Sequence, residues 1–547
     1  TFKKGDLTIE SMGFEITGLI KENSIDLTLS GKDIELDELS KTILNNSVES
    51  SNKYQGHGNV NFEAVISGEL AKTHMPSIEA NFAIDNGTIE SKENDLKLTN
   101  IYLNGRYHNK QSKRTELLEF SNLSLQLLKS TFKGSTRITN FKVPTFTGKM
   151  QGDLDLGSFN EFFKFKNVEL LTGHVKFNTD YSIMFPDIEY DPGQFDLENT
   201  KGDLQITNVV FKGEDDNITY KDINGDILLL GNDAATKNLK LATKNSDVLI
   251  NGAIKNLIPF IEGNGNLGLI ASIEAEKLDI NEFISESEKV EKGVNKVFEI
   301  PNQINVNVDL SVKEVLWENH TFKSVVGKFI LAEQKARLPY LSLQMLGGNV
   351  KGNMLLNNQL MDGNMIEGEL FFNDLDVKRL FADWNNFDQK TITDKNLSGS
   401  LSGKIDLLLL FDKYFTLIED KIYLNSDMNI QNGALKNMQT MQEVAEYMRS
   451  NKALKLALNR HIDEFEKKLL NLQFEELTNN IQIKDRKIYI PKMLIKTNAL
   501  DVELSGWHDF DNNIEYHFSF RFRERKAMPE YTEFGKIEDD GLGWKIY

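Results

Sequence analysis

The chain alternates between apolar and polar residues along most of its length. The cleanest run is Ile304, Val306, Val308, Leu310 and Val312, separated by Asn305, Asn307, Asp309 and Ser311. A period of two puts one set of side chains on one side of a strand, so this run predicts a strand with one dry and one wet face. The same pattern occurs at Ile25, Leu27 and Leu29, at Leu123, Leu125 and Leu127, at Leu341, Leu343 and Met345, and at Tyr516, Phe518, Phe520 and Phe522. Ile488 with Ile490, and Val502 with Leu504, continue it towards the C-terminus. Gly, Asn and Asp punctuate the runs. Asp85-Asn86-Gly87 and Asn432-Gly433 read as tight reversals, where a positive φ costs little. Antiparallel meanders of roughly 35 strands are the expected result, an open sheet about 170 Å long at ~4.8 Å per strand. Alternation alone does not separate that sheet from a packed sandwich.

A second regularity is a phrase of the form apolar, acidic, apolar, two residues, apolar. It occurs at Ile34-Glu35-Leu36 with Leu39, Leu154-Asp155-Leu156 with Phe159, Leu278-Asp279-Ile280 with Phe283, and Leu375-Asp376-Val377 with Leu380. Each copy predicts the end of a strand and the start of a brief amphipathic turn. The copies recur about every 100 to 120 residues, too long for single-rung solenoid repeats, so each repeat holds several strands and one small helix. Strands between them often open with Gly, one residue and an apolar residue, as at Gly68, Gly148, Gly152, Gly202, Gly225, Gly252, Gly352 and Gly403. These glycines are expected to mark bends or bulges.

Two stretches depart from strand text. Ser285 to Phe298 is charge-rich and ends before Pro301, which suits a solvated linker or short surface helix. Asn437 to Leu472 is the one long helical candidate, with apolar residues at Met441, Val444 and Met448 and then Leu454, Leu458, Ile462, Phe465, Leu469 and Leu472. Packing of this stripe on the sheet, or plugging of a groove's end, is favoured over membrane or partner contact because its charges are mixed.

Charge and chemistry narrow the functional classes. The 63 basic and 82 acidic residues leave a net charge of -19, which disfavours a surface that tracks phosphate backbones. Nucleic acid is not an expected partner. No cysteine is present, which removes disulfides, thiolate chemistry and sulfur-ligated metals. None of the eight histidines pairs with another at i and i+4. Asp509, Asp511, Asn513 and Glu515 mimic a calcium loop, but Ile514 and Phe520 stand where Gly and Glu are needed, so a polar hairpin turn is expected. Gly263-Asn264-Gly265-Asn266-Leu267-Gly268 matches a dinucleotide fingerprint, yet it leads into strand text with no helix to receive a pyrophosphate. No phosphate loop, nucleophile elbow or His-Glu-x-x-His is present. No catalytic residue, metal or cofactor is therefore assigned, and the chain is read as a non-enzyme.

The C-terminal text resembles the AsmA-like proteins in their Bacteroidetes form. The resemblance rests on Ile481 to Met493 with Pro491, on Asn498 to Gly506, and on His508 to Tyr516. A second segment, from Ile300-Pro301 to Gly347-Gly348-Asn349-Val350, is similar to the repeat that precedes that domain. The resemblance implies an inner-membrane protein with one N-terminal span, expected outside this sequence, and a periplasmic β-groove similar to those of bridge-like lipid transfer proteins. It also implies a part in outer-membrane lipid balance and carries no catalytic residue.

The combined expectation is a mainly β, elongated, repetitive antiparallel groove, taco-like or open-barrelled, with a few short helices and one longer C-terminal helical segment. Its segments are groove repeats at 1–160, 161–284 and 301–384, a linker at 285–300, and a C-terminal domain at 385–547 with a helix at about 437–472; both ends are read as truncated. Its expected partners are phospholipid or other envelope-lipid acyl chains, membranes at the chain ends, and outer-membrane proteins. The expected lining consists of Ile25, Leu27, Leu29, Leu123, Leu125, Leu127, Ile304, Val306, Val308, Leu310, Val312, Leu341, Leu343, Ile488, Ile490, Val502, Leu504, Phe518 and Phe520. The competing readings are a scaffold for outer-membrane protein assembly and a polysaccharide-acting β-helix enzyme. The repeat length opposes the second.

Overall fold

The computed structural model describes residues 2–9, 12–38, 54–70, 75–92, 96–109, 116–141, 143–163, 165, 168–184, 199–214, 217–261, 265–283, 297–361, 363–388, 392–452, 462–511, 513–522 and 545–546. The fold is mainly β, with 27 strands among these residues. The chain divides into two units, Thr1–Ala271 and Ser272–Tyr547. In the first, β1 (Phe2–Ile9) to β14 (Asp247–Lys255) form an open meander, each strand antiparallel to its neighbours in the chain. In the second, β16 (Ile304–Trp317) to β26 (Ile514–Phe522) do the same.

The described strands are longer than the sequence predicts at two places, where expected reversals are bulges. Asp85-Asn86-Gly87 lies inside β5 (Ser77–Ser91), and Asn432-Gly433 lies inside β22 (Tyr423–Lys436). Asn86 has φ 53° and Asn432 has φ 49°, and the register beside Asn86 slips between Ile84 and Gly87. One extra residue in a left-handed conformation lets the strand continue while the side-chain alternation changes parity. Phe120 thus shares its side of β7 (Leu117–Leu127) with Leu123 across Asn122, and Phe372 of β20 (Gly363–Asp376) shares its side with Leu375 across Asp374. Several real reversals lack glycine and asparagine. Glu333-Gln334 and Asp485-Arg486 close two-residue hairpins with both residues at positive φ, the geometry of a type I′ turn.

Gly148 and Gly152 also correct the expectation, since both sit in unbroken register rather than at bulges. Each gives space to an aromatic residue of the next strand. A methyl group at Gly152 would lie 2.9 Å from the Phe177 ring, and one at Gly148 would lie 2.9 Å from the Tyr181 hydroxyl. Gly68, at φ +136°, does have the backbone of a bend.

All four repeated phrases end a strand and begin a helical turn, although Leu39 lies outside the described residues. Helical residues 36–38 follow Glu35, helix α1 (Leu156–Phe163) follows Asp155, a 3-10 turn (Ile280–Glu282) follows Asp279, and α2 (Val377–Asp383) follows Asp376. The acidic residue explains the position of three of them. Its carboxylate accepts a free N–H of the first turn: Ser158 N at 2.7 Å for Asp155, Asn281 N at 3.1 Å for Asp279, and Arg379 N at 2.9 Å for Asp376. The backbone N–H of Ser158 is the main reason the Asp155 carboxyl is held below its usual value of 3.8. A lowered folded pKa means this contribution is complete above about pH 4 and is lost as the pH falls through the folded value. Asp155→Ala is expected to cost the first unit about 1 kcal/mol at neutral pH. The deficit should shrink on acidification, as read from urea midpoints measured across the acid range.

Within the second unit, one joint among the described strands is parallel, and it follows the connection from Ile280 to Gln303. Glu276 bonds Lys313, and Asn281 exchanges hydrogen bonds with Glu318, all at a constant separation of 37 residues. A constant separation is the mark of strands running the same way, so the end of β15 (Leu267–Asp279) runs parallel to β16. The connection between them is long enough for the crossover that parallel neighbours need.

The expected long helix at 437–472 is not continuous. Helix α3 (Gln439–Ser450) ends at Asn451, whose backbone is extended, and α4 (Ile462–Leu469) is separate. Ser450 and Asn451 stop α3 with side-chain bonds to the Tyr447 carbonyl and hydroxyl. Leu472 belongs to β23 (Asn471–Lys484), while Leu454 and Leu458 lie outside the described residues. Met441, Ala445, Met448, Leu469, Leu472 and Phe474 nevertheless form one buried core with Val377, Leu401, Leu500 and Val502. The helices therefore pack on the sheet.

Candidate functional site

Cross-strand register shows which side chains share a side of each sheet. In the first unit, Leu29, Ala64, Ala80, Tyr107, Leu118, Ile138, Phe146 and Ile183 stand side by side on eight successive strands. A neighbouring row contains Phe132, Gly152, Phe177, Leu204, Ile227, Thr236 and Gly252. In the second unit, one row is Leu338, Met354, Gly368, Leu407, Leu424, Ile483, Ile488, His508 and Ile514. Another is Leu310, Gly327, Leu341, Gly352, Leu370, Ile405, Ser426 and Ile481. No Asp, Glu, Lys or Arg stands in any of these rows.

The reverse sides hold the charges. Arg106, Glu119 and Arg137 follow one another in the first unit, with Arg137 and Glu119 paired at 3.0 Å. In the second, Lys328 pairs with Asp309 at 3.1 Å, and Lys404 lies between Glu369 and Asp406.

Most large side chains of the rows are half-buried: Leu338, Met354, Leu370, Ile405, Leu407 and Leu424 all lie between the core and full exposure. Tyrosines on the same sides of the two sheets are half-buried as well. Burial raises the pKa of Tyr181 and Tyr516, and burial followed by a hydrogen bond to Glu116 pushes Tyr107 to about 12.

The structure distributes the predicted lining over three settings. Ile25, Leu29, Leu123, Leu125, Leu127, Ile304, Val306, Leu310, Leu341, Leu343, Ile488, Ile490 and Leu504 are half-buried strand residues. Leu27 and Val308 are buried, Val312 packs with Ala275 and Val315 beside the 3-10 turn, and Val502 belongs to the core under the helices. Phe518 is exposed, and the side chain of Phe520 lies outside the described set although its backbone pairs with Val502. Sequence reasoning missed Leu338, Met354, Leu407 and Leu424. The signal that could have found them is plain alternation in their own strands, as in Val350, Gly352, Met354 and Leu356, in Ile405, Leu407 and Leu409, and in Leu424, Ser426 and Met428.

The other motifs resolve as local structure. Asp509 accepts bonds from the N–H groups of Asp511 and Asn513, which makes the calcium-loop mimic a polar turn. Gly265 to Gly268 lead into β15, whereas Gly263 and Asn264 are outside the described residues, as is most of Ser285 to Phe298. His174 lies 3.1 Å from Asp153 and 3.7 Å from Asp155, but no group of three potential metal ligands occurs among the described residues. Among those residues, too, no helix is long and apolar enough to cross a membrane.

No family model, curated protein or solved structure matches the chain.

Proposed function

We propose that this chain is a lipid-handling protein of the bacterial envelope whose uncharged rows line a β-groove for acyl chains. The observation that carries the reading is the run of half-buried apolar side chains across many successive strands, with no ionised residue in the rows and ion pairs on the reverse side. An acyl chain moving from a bilayer to such rows exchanges one hydrocarbon contact for another, and each methylene kept from water contributes about 0.8 kcal/mol. Such transfer needs continuous apolar contact and no reacting group. The AsmA-like text at Ile481 to Met493 supports the periplasmic, inner-membrane-anchored setting and the link to outer-membrane lipid homeostasis.

The test is gentle purification followed by mass spectrometry of bound small molecules. Phospholipid or another envelope lipid should co-purify. Protein that is consistently empty and takes up no fluorescent lipid would overturn the proposal. Cross-linking that captures an outer-membrane barrel protein in place of lipid would favour an assembly scaffold.

A further inference from the structure

At one edge of the second unit, aromatic side chains gather outside the rows. Trp317 and His320 face each other across the tip of the hairpin joining β16 to β17 (His320–Ala332). His320 stacks on Trp384 with ring centres 4.7 Å apart. Trp384 ends α2, and its carbonyl accepts the N–H of Phe387 at 2.8 Å. Phe387 meets Phe381 edge-on at 5.2 Å. On the other flank, hydrogen bonds between Asn281 and Glu318 tie the 3-10 turn that ends at Phe283 to the same hairpin.

The backbone presents this patch at some cost. Asn385, Asn386 and Phe387 have φ of 48°, 56° and 54°, three successive non-glycine residues in the left-handed region. That arrangement is sterically unfavourable and persists only when the surroundings hold it. The Asn386 side chain does so by accepting the N–H of Asp394 at 2.7 Å. The outcome is a patch whose apolar side chains stay open to solvent: Phe387 is 53% exposed and Trp317 45%, and Phe283 on the flank is 44% exposed.

We infer that this edge docks on the surface of a zwitterionic phospholipid bilayer. Aromatic rings, tryptophan above all, settle at the boundary between headgroups and acyl chains, where one end is dry and the other wet. The charges around the patch are of both signs: exposed Lys378 and Arg379 on α2, and Glu318 and Asp383 beside the rings. Mixed charge complements a headgroup that itself carries both signs, while the net charge of -19 opposes a strongly anionic surface. The inference is independent of whether the rows hold lipid, because it concerns turn residues outside them.

The experiment is flotation of the full chain with phosphatidylcholine vesicles, read together with tryptophan emission. The wild type should float with the vesicles, its emission should shift to the blue, and brominated phosphatidylcholine should quench it. Phe387→Ser and Trp317→Ser should each weaken vesicle binding roughly tenfold or more. Tyr340→Ser, which removes an exposed aromatic ring elsewhere in the unit, should leave binding unchanged. The double variant Trp317→Phe with Trp384→Phe should lose the quenching, because it removes both tryptophans of the patch and Trp507 lies in β25 (Leu500–Asp509), away from it. Three results would overturn the inference: wild-type protein that neither floats nor shifts, flotation that survives both serine variants, or quenching that survives the double variant. Lipid found in the purified protein would bear on the rows alone, so failure of one proposal is distinguishable from failure of the other.

Discussion

Leu407→Asp is expected to strip bound lipid from the second unit while leaving its fold in place. Leu407 stands between Gly368 and Leu424 in the middle of an uncharged row, half-buried and with no covering helix among its register neighbours. A carboxylate there places a charge beside hydrocarbon. The cost is roughly 2.5–3.5 kcal/mol on membrane-insertion scales, or about a hundredfold in occupancy. Native mass spectrometry of the purified variant gives the number of lipids retained. Tyr423→Asp is the matched control, because Tyr423 is 44% exposed and pairs with Leu408 on the reverse side. Equal retention by both variants would show that the row does not contact lipid.

The second large effect is on stability. Gly433 lies under the ring of Phe474, itself 4% exposed within the helix-covered core, and a methyl group at Gly433 would fall 2.1 Å from Cζ of that ring. Phe474 has helices above it and the sheet below, so it cannot move aside. Gly433→Val should therefore destabilise the second unit by about 3 kcal/mol. Urea unfolding followed by tryptophan emission reports this unit selectively, since Trp317, Trp384, Trp507 and Trp544 all belong to it. In a Phe474→Leu background the same substitution should cost clearly less, because the two residues share one space. Additive costs would place the strain elsewhere.

Much of this architecture was legible from the pattern of residues. Alternation at Ile304 to Val312 identified a strand, and the acidic phrases located the helical turns because a carboxylate at a helix start satisfies a free N–H. What misled was punctuation. Asn86 and Asn432 carry the same left-handed preference whether a chain reverses or bulges, and a single sequence does not distinguish the two outcomes. The hairpin at Glu333-Gln334 was invisible because it contains no glycine, asparagine or aspartate, and Asp485 alone did not distinguish the one at Asp485-Arg486 from a polar strand position. Val502 and Val312 looked like open lining because alternation reports which side a residue takes, whereas burial depends on what packs above it. That covering came from α3, α4 and the 3-10 turn, whose contacts are distant in sequence.

The meander also sets how the chain can be assembled and lengthened. Nearly every strand pairs with its immediate predecessor, so each new contact closes a short loop at small entropic cost. Folding can then advance in the order of synthesis, one strand added to the last, without waiting for the C-terminus. Insertion or loss of a two-strand hairpin leaves the direction and sidedness of every later strand unchanged, whereas a single-strand change would reverse both. The length of the rows is thus a quantity that evolution or engineering can adjust two strands at a time.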